Sequence, residues 1–328
     1  MKLRILSGAE VALALPMPRA IEAMRRAFAQ LSAGAANVPL RTRLTTDRGV
    51  TLLMPAHLKE TGECCVKIVS VYPNNAERGL PVIMGVAVAL DAETGRPLAL
   101  MESDALTAIR TGAAGGLSAE LLARADARQV AVIGAGVQGR AVLRGVMTVR
   151  PIEEARIFSR TEASAQCMAE EAASWETIGQ VGQVRQVRQV RPVRSPSEAV
   201  RGADIVIAAT TSSTPVFDGA DLKPGTHVIG VGSYSRTMQE VDAATVRRAR
   251  VVVDSREACL AEAGDIVMSG ATIDAELGEI VAGVKPGRES EDEITFFKSV
   301  GNAAQDAAAA AEVLVAAERE GLGRVVEI

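Results

Sequence analysis

Residues 130–143, VAVIGAGVQGRAVL, constrain this chain more than any other stretch. An apolar run at 130–133 leads into Gly134, Gly136 and Gly139, and a helix opens beside Val137 and Gln138. A full G-x-G-x-x-G therefore follows a strand and begins a helix. Gly134 allows the tight turn, Gly136 lets the backbone approach a pyrophosphate, and Gly139 lets helix and strand pack closely. The helix N-terminus offers free N–H groups and a partial positive charge to phosphates. The competing reading is an ordinary glycine-rich turn in an α/β protein, so the surrounding pattern has to decide.

That pattern favours a dinucleotide fold. Apolar runs at 155–159, 205–209, 227–231 and 251–253 follow, with helical stretches such as 162–174 between most of them. Such alternation implies a parallel, doubly wound sheet. An NAD site usually places Asp or Glu about 20 residues past the glycines to bind the ribose hydroxyl. Here the second strand ends in Ser159, Arg160 and Thr161, a cation with hydroxyls and no carboxylate. That composition suits a 2′-phosphate, so NADP(H) is preferred over NAD(H); alternatively Arg160 is a surface residue and both are accepted.

The rest of the chain reads differently. Ser7 and Glu10 form an S-x-x-E capping box, and Pro18 suits the first turn of a helix carrying Ile21, Met24, Phe28 and Leu31. Short β-like runs fill 38–100, separated by turn residues at 47–49 and 91–95, which predicts a mainly antiparallel sheet. Residues 103–124 read as a helix with Thr107, Arg110, Thr111 and Ala114 on one face, either a site or a solvated stripe. An alanine-rich helix at about 303–320 is expected to pack back on the first domain, and 285–295 to be a loop. With 328 residues, two domains of about 100–200 residues are expected. The boundaries predicted are 1–118 plus 301–328 for one domain and 119–300 for the dinucleotide domain.

Several function classes are disfavoured. A formal charge of −4 gives no footprint for nucleic acid. The period-three Gln-Val-Arg repeat at 180–194 brings Arg185, Arg188, Arg191 and Arg194 without aromatics, and is expected to be an edge or surface insertion. No apolar run reaches the ~20 residues that span a bilayer. Four cysteines and two histidines lack metal spacing, so no metal is expected, and reduced thiols point to a cytoplasmic protein. His57 is expected in a loop, and His227 as a structural residue at the start of a strand. Asp104, Asp242 and Asp306 are expected to cap or charge helix ends.

Beyond these local signals, VPLRTRL (38–44), LLMPA (52–56), CVKIVSVYPNN (65–75), LTAIRTGAAGGLSAELLA (106–123), the glycine loop, AATTSSTPVF (208–217) and ITFFKSVGNAAQDAAAA (294–310) occur in order. In these segments the chain resembles the ornithine cyclodeaminase/μ-crystallin family of NAD(P)-dependent enzymes. The resemblance implies a Rossmann domain inserted into a second α/β domain that binds substrate and forms a homodimer. It implies that Arg41, Lys67 and Arg110 hold the carboxylate of a small amino or imino acid, with Met54 beside them. Thr111, Gln138, Thr210, Val231 and Ser299 fall at or near the cofactor. A buried Lys67 near arginines would have a lowered pKa, suiting proton transfer.

Two departures narrow the expectation. Ornithine cyclodeaminases carry a catalytic Asp where this chain has Tyr234, and a Glu where it has Leu52. Losing a carboxylate that pairs with a buried cation costs about 3–5 kcal/mol. The expected activity is therefore reduction of a cyclic or open α-imino acid, as in the family's ketimine and Δ1-pyrroline-2-carboxylate reductases, with Lys67, Tyr234 or water supplying the proton. Ornithine cyclodeamination, an alanine-dehydrogenase-like reaction and a non-catalytic NADPH-binding role are the alternatives.

Overall fold

The computed structural model describes residues 1–175, 177–178, 184–185, 187 and 189–328. The chain divides into two compact units, Met1–Arg110 with Asn302–Ile328, and Thr111–Gly301. The first boundary falls at 110/111, inside a continuous helix, where the sequence reading put it at 118/119.

The first unit is an eight-stranded sheet with helices on it. Its strands are β1 (Lys2–Leu6), β2 (Ala36–Asn37), β3 (Thr42–Thr46), β4 (Gly49–Leu58), β5 (Glu63–Val71), β6 (Ile83–Asp91), β7 (Pro97–Glu102) and a C-terminal strand, Arg324–Glu327. The order is C-terminal strand, β1, β7, β6, β5, β4, β2, with β3 also on β4. Only β1 and β7 pair in parallel, so the antiparallel expectation for 38–100 holds. The first helix, α1 (Gly8–Ala14), starts at the expected capping box: the Glu10 N–H donates to Ser7 Oγ, and the Ser7 N–H to Glu10 Oε2. Pro18 lies in the first turn of α2 (Met17–Ser32), which buries Ile21, Met24 and Phe28. The C-terminal helix, Ala303–Glu320, lies on α2 and across β4, β5 and β6. Its alanines at 307–310 are buried, and their small side chains let the helix sit close to the sheet.

The long helix α3 (Ser103–Leu122) leads into the second unit. There β8 (Gln129–Ile133) is followed by α4 (Val137–Val149), β9 (Glu154–Phe158) and α5 (Glu162–Ala173). A two-stranded pair, β10 (Thr177–Ile178) and β11 (Val184–Arg185), precedes β12 (Gln189–Pro192). The remaining strands are β13 (Ile205–Ala208), β14 (His227–Gly230), β15 (Arg250–Val253), β16 (Ala275–Glu276) and β17 (Thr295–Lys298). The main sheet runs β12-β9-β8-β13-β14-β17-β15-β16, parallel throughout. Strand order reverses between β8 and β13, which is the switch point where such sheets bind ligands. The C-terminal part of the Gln-Val-Arg repeat forms edge strand β12, whose Arg191 is paired with Glu154 and Glu198. Arg188 lies outside the described residues.

One strand departs from the sequence reading. Thr295–Lys298 is fully buried between β14 and β15. A four-residue strand buried on both faces shows no alternation, and this one follows a charged stretch, so it has no periodic signal. No helix among the described residues is long and apolar enough to cross a membrane.

Candidate active site

The glycine loop separates two kinds of glycine. Gly134 has φ +107°, and a side chain there would run into the Ala209 carbonyl. At Gly139 a side chain would strike the Gly134 carbonyl. Both are required by the fold. Gly136 is not: its φ of −86° suits any residue, and a Cβ there would meet nothing within 4 Å. It is the exposed N-cap of α4, with no side chain capping the helix. Close approach by a phosphate is what remains to select glycine at this position. Beside it, Val137 is exposed and Gln138 has a buried Oε1 with no hydrogen-bond partner. These residues fit a pyrophosphate.

The other residues expected at the cofactor follow the carboxyl ends of the same sheet's strands. Ser159, Arg160 and Thr161 follow β9, the last two exposed, and the Thr161 hydroxyl donates to Ser164 at 2.6 Å. Thr210 follows β13; its N–H and hydroxyl donate to Glu240 at 2.5 and 2.8 Å. Val231 follows β14 and donates to the Ala208 carbonyl, and Ser299 follows β17 and donates to Asp254 at 2.8 Å. Thr111 is buried on α3. Tyr234 lies in the loop after β14 and is 47% exposed.

The residues expected at the substrate gather in the first unit. Lys67 points from β5 into the sheet's buried face, with Met54 directly opposite on β4 and Ala87 on β6. Its ammonium lies 2.9 and 2.8 Å from the two carboxylate oxygens of Asp306 and 3.3 Å from Thr107 Oγ1. Arg110 donates from Nε to Asp306 at 3.1 Å and from Nη1 to Gln305 Oε1. Arg110 is buried, which overturns the solvated-stripe alternative for this face of α3. Arg41, half-buried just before β3, adds its charge to the field at both Lys67 and Asp306.

Burial sets the electrostatics here. It lowers the Lys67 ammonium below its ordinary range; Asp306 opposes that, while Arg110 and Arg41 add to it. Burial alone would raise Asp306, but Lys67 and Arg110 hold its carboxyl below the usual carboxylate range. Two buried cations, Lys67 and Arg110, thus share one carboxylate, which leaves positive charge for a second anion, such as a substrate carboxylate.

Asp306 lies in the first turn of its helix, as the sequence reading expects of a helix-end charge, but it does more than that. It sits in the opening turns of the C-terminal helix with no solvent exposure, and Asn302 performs the capping. An aspartate within AAQDAAAAA, on a helix buried along that run, needs a buried cation. Asp242 does cap a helix, accepting from the Thr245 N–H at 2.8 Å, and Asp104 lies in the first turn of α3. His57 is in strand β4 and not in a loop, paired with Asn37 and Cys64. His227 is buried at the start of β14, as expected of a structural residue. The four cysteines are free, and no group of His, Cys, Asp or Glu among the described residues could hold a metal.

Comparison with known proteins points one way. The family model described as ornithine cyclodeaminase/mu-crystallin matches residues 1–320. A Δ1-pyrroline-2-carboxylate reductase of Bacillus cereus is 36% identical over 321 residues, covering 95% of each chain. The structure of Thermococcus litoralis Δ1-pyrroline-2-carboxylate reductase, in complex with NADH and L-proline, is 41% identical with a TM-score of 0.89, covering 98% of this chain and 99% of that one. An archaeal alanine dehydrogenase dimer with bound NAD is 32% identical over the whole of both chains, with a TM-score of 0.91.

Proposed function

Because the chain belongs to the ornithine cyclodeaminase/μ-crystallin family, we propose that it is an NAD(P)H-dependent oxidoreductase reducing a cyclic or open α-imino acid to an L-amino acid. The observation that carries this reading is the buried group Lys67, Arg110 and Asp306, in a chain with Leu52 and Tyr234 where an ornithine cyclodeaminase has carboxylates. Δ1-Pyrroline-2-carboxylate is the first substrate to test, since relatives at 36% and 41% identity bear that activity in their names.

The chain's own residues divide the work. Arg41 and Arg110 take the substrate carboxylate, and Met54 supplies apolar wall beside it. A reduced pyridine nucleotide, when bound, supplies hydride to the imine carbon. Addition at that carbon requires a proton on the imine nitrogen, and Lys67 supplies it. Its lowered pKa makes the ammonium a better acid, while Asp306 keeps it protonated and aimed. Tyr234, being exposed, serves less well as a proton store. In the reverse direction the neutral amine of Lys67 accepts the proton from an amino acid such as proline or alanine.

The glycine loop, with Gly134, Gly136, Val137, Gln138 and Gly139, holds the pyrophosphate. Thr111, Thr210, Val231 and Ser299 line the remainder of the cofactor site. Ser159, Arg160 and Thr161 favour NADP(H) over NAD(H) at the ribose, because a guanidinium without a neighbouring carboxylate at 159–161 suits a phosphate. The exposed apolar side chains Leu40, Leu44, Leu80, Val82, Ile83 and Met84 in the first unit support a homodimer through that unit.

The test is a panel of Δ1-pyrroline-2-carboxylate, Δ1-piperideine-2-carboxylate, and pyruvate with ammonia or methylamine, each with NADPH and with NADH, beside ornithine. Cofactor oxidation with an imine supports the proposal. Ammonia release from ornithine without net cofactor turnover would replace it with cyclodeamination, and tight cofactor binding with no turnover would favour a binding protein.

A further inference from the structure

A second set of buried charges lies in the dinucleotide unit. Glu240, Asp254, Asp265 and Lys298 have no solvent exposure. One oxygen of Glu240 accepts from the Thr210 N–H and hydroxyl, and the other from the N–H groups of Gly232 and Ser233, at 2.7 and 3.1 Å. Burial pushes this carboxyl up, and the Lys298 charge and the Thr210 hydrogen bonds oppose that; both oxygens act as acceptors only, the pattern of an ionised carboxylate. Asp265 accepts from the N–H groups of Glu240 and Val241 on one oxygen, and its other oxygen lies 3.2 Å from Lys298 Nζ. Asp254 accepts from the Ser299 hydroxyl and the Gly301 N–H, both at 2.8 Å, and from the Cys259 thiol at 3.3 Å.

These carboxylates bind loops rather than one another. Glu240 joins the loop after β13 to the loop after β14. Asp254 shapes the loop after β17. All three loops leave the carboxyl edge of the parallel sheet, the edge on which such folds bind ligands. The strap also dictates Gly232, where a side chain would strike the Thr210 carbonyl and approach Glu240 Oε1 to 2.5 Å. Lys298 pairs with Asp265 and adds its charge to the field at Glu240, while Glu240 and Asp254 are held by N–H and hydroxyl donors, so this dry region carries more carboxylates than cations among the four groups.

We propose that Glu240 and Asp254 are positioning residues for the nicotinamide end of the cofactor site, and that their buried negative charge favours the oxidised nicotinamide over the reduced one. This rests on the reading of the chain as a pyridine-nucleotide enzyme. Loss of a hydride turns the neutral dihydronicotinamide into a cation. A fixed negative field therefore stabilises the oxidised form selectively and makes the bound reduced form a stronger hydride donor.

The experiment is a calorimetric titration of the full chain with the oxidised and the reduced cofactor, reading the ratio of their dissociation constants. Glu240→Gln weakens the oxidised form about fivefold more than the reduced form, the effect of one unit charge partly screened by protein. Asp254→Asn, on a different loop, shifts the ratio in the same direction and decides the matter should Glu240→Gln not fold. Lys298→Met removes the cation and shifts the ratio the opposite way. Equal weakening of both forms would show that the carboxylates only hold the loops, and would overturn the proposal. So would a Lys298→Met shift of the same sign as the other two. Failure of the unmutated chain to bind either form would overturn the cofactor reading itself, a different result from binding with an unchanged ratio.

Discussion

Replacing Asp306 with asparagine tests the role of Lys67 with little change of shape. The ammonium and carboxylate lie 2.8 Å apart and are buried. At an effective dielectric constant near 20, two unit charges at that distance attract by about 6 kcal/mol before desolvation is subtracted. Removing one member of such a pair costs about 3–5 kcal/mol of stability net. The stability sign follows from the direction of the Asp306 shift. A carboxyl held below its usual range contributes fully above about pH 4, and the contribution is lost as pH falls through the folded value. The part of the stability gap that comes from the Asp306 charge therefore closes in acid, as pH falls through its folded value. The catalytic consequence is separate. Asp306 is the group that raises Lys67 against burial and the two arginines. Without it the ammonium loses its proton at lower pH. The assay is the pH profile of kcat for imine reduction. Its falling alkaline limb moves to lower pH by at least about one unit, equivalent to roughly 1.4 kcal/mol. KM for the imino acid does not rise, because the substrate carboxylate has lost a competitor for Arg110. A folded Asp306→Asn protein whose alkaline limb stays in place would refute Lys67 as the proton donor.

Other substitutions separate fold from function. Gly136→Ala leaves stability within about 0.5 kcal/mol in thermal unfolding, since the new methyl meets nothing, but weakens cofactor binding at least tenfold by titration, a change of about 1.4 kcal/mol; Gly139→Ala disturbs both, because its methyl strikes the loop itself. Arg160→Ala lowers the ratio of NADPH to NADH kcat/KM by about tenfold, the worth of one exposed charge-assisted contact; an unchanged ratio removes Arg160 from cofactor selection. His227 Nδ1 lies 2.8 Å from Thr295 Oγ1 and its Nε2 3.2 Å from Ser118 Oγ, and burial holds the ring neutral far below its ordinary range. Below about pH 6.5 the unfolded chain takes up a proton that the folded ring refuses, so stability falls with pH by up to about 1.4 kcal/mol per unit. Denaturant titrations at several pH values should show that slope diminished in His227→Gln.

Much of this architecture was legible where a local rule acted alone. The Ser7–Glu10 box, the antiparallel runs after residue 38 and the parallel strands around the glycine loop each follow from spacing and turn residues. β17 was not legible, because four residues buried on both sides carry no period. The compact units meet at 110/111 rather than 118/119, and α3 runs through both positions without a break in its pattern. Lys67 and Arg110 follow from chemistry and resemblance, but their pairing with Asp306 does not, because a first-turn aspartate reads equally well as a helix-end charge. The alanines around Asp306 hid how deeply it is buried, since alanine is at home on exposed and buried helices alike. Glu240 and Asp254 were missed for a different reason: their partners are backbone N–H groups and hydroxyls on distant loops, which no sequence spacing marks.

The central claim is that hydride passes from reduced cofactor to the α-carbon of an imino acid. The direct measurement uses reduced cofactor deuterated at C4 of the nicotinamide, with Δ1-pyrroline-2-carboxylate, and mass analysis of the proline formed. Cofactor deuterated on the transferred face is expected to give proline heavier by one mass unit, with the label on the α-carbon. Unlabelled proline from both deuterated epimers, or proline formed only from ornithine with release of ammonia, would contradict the account.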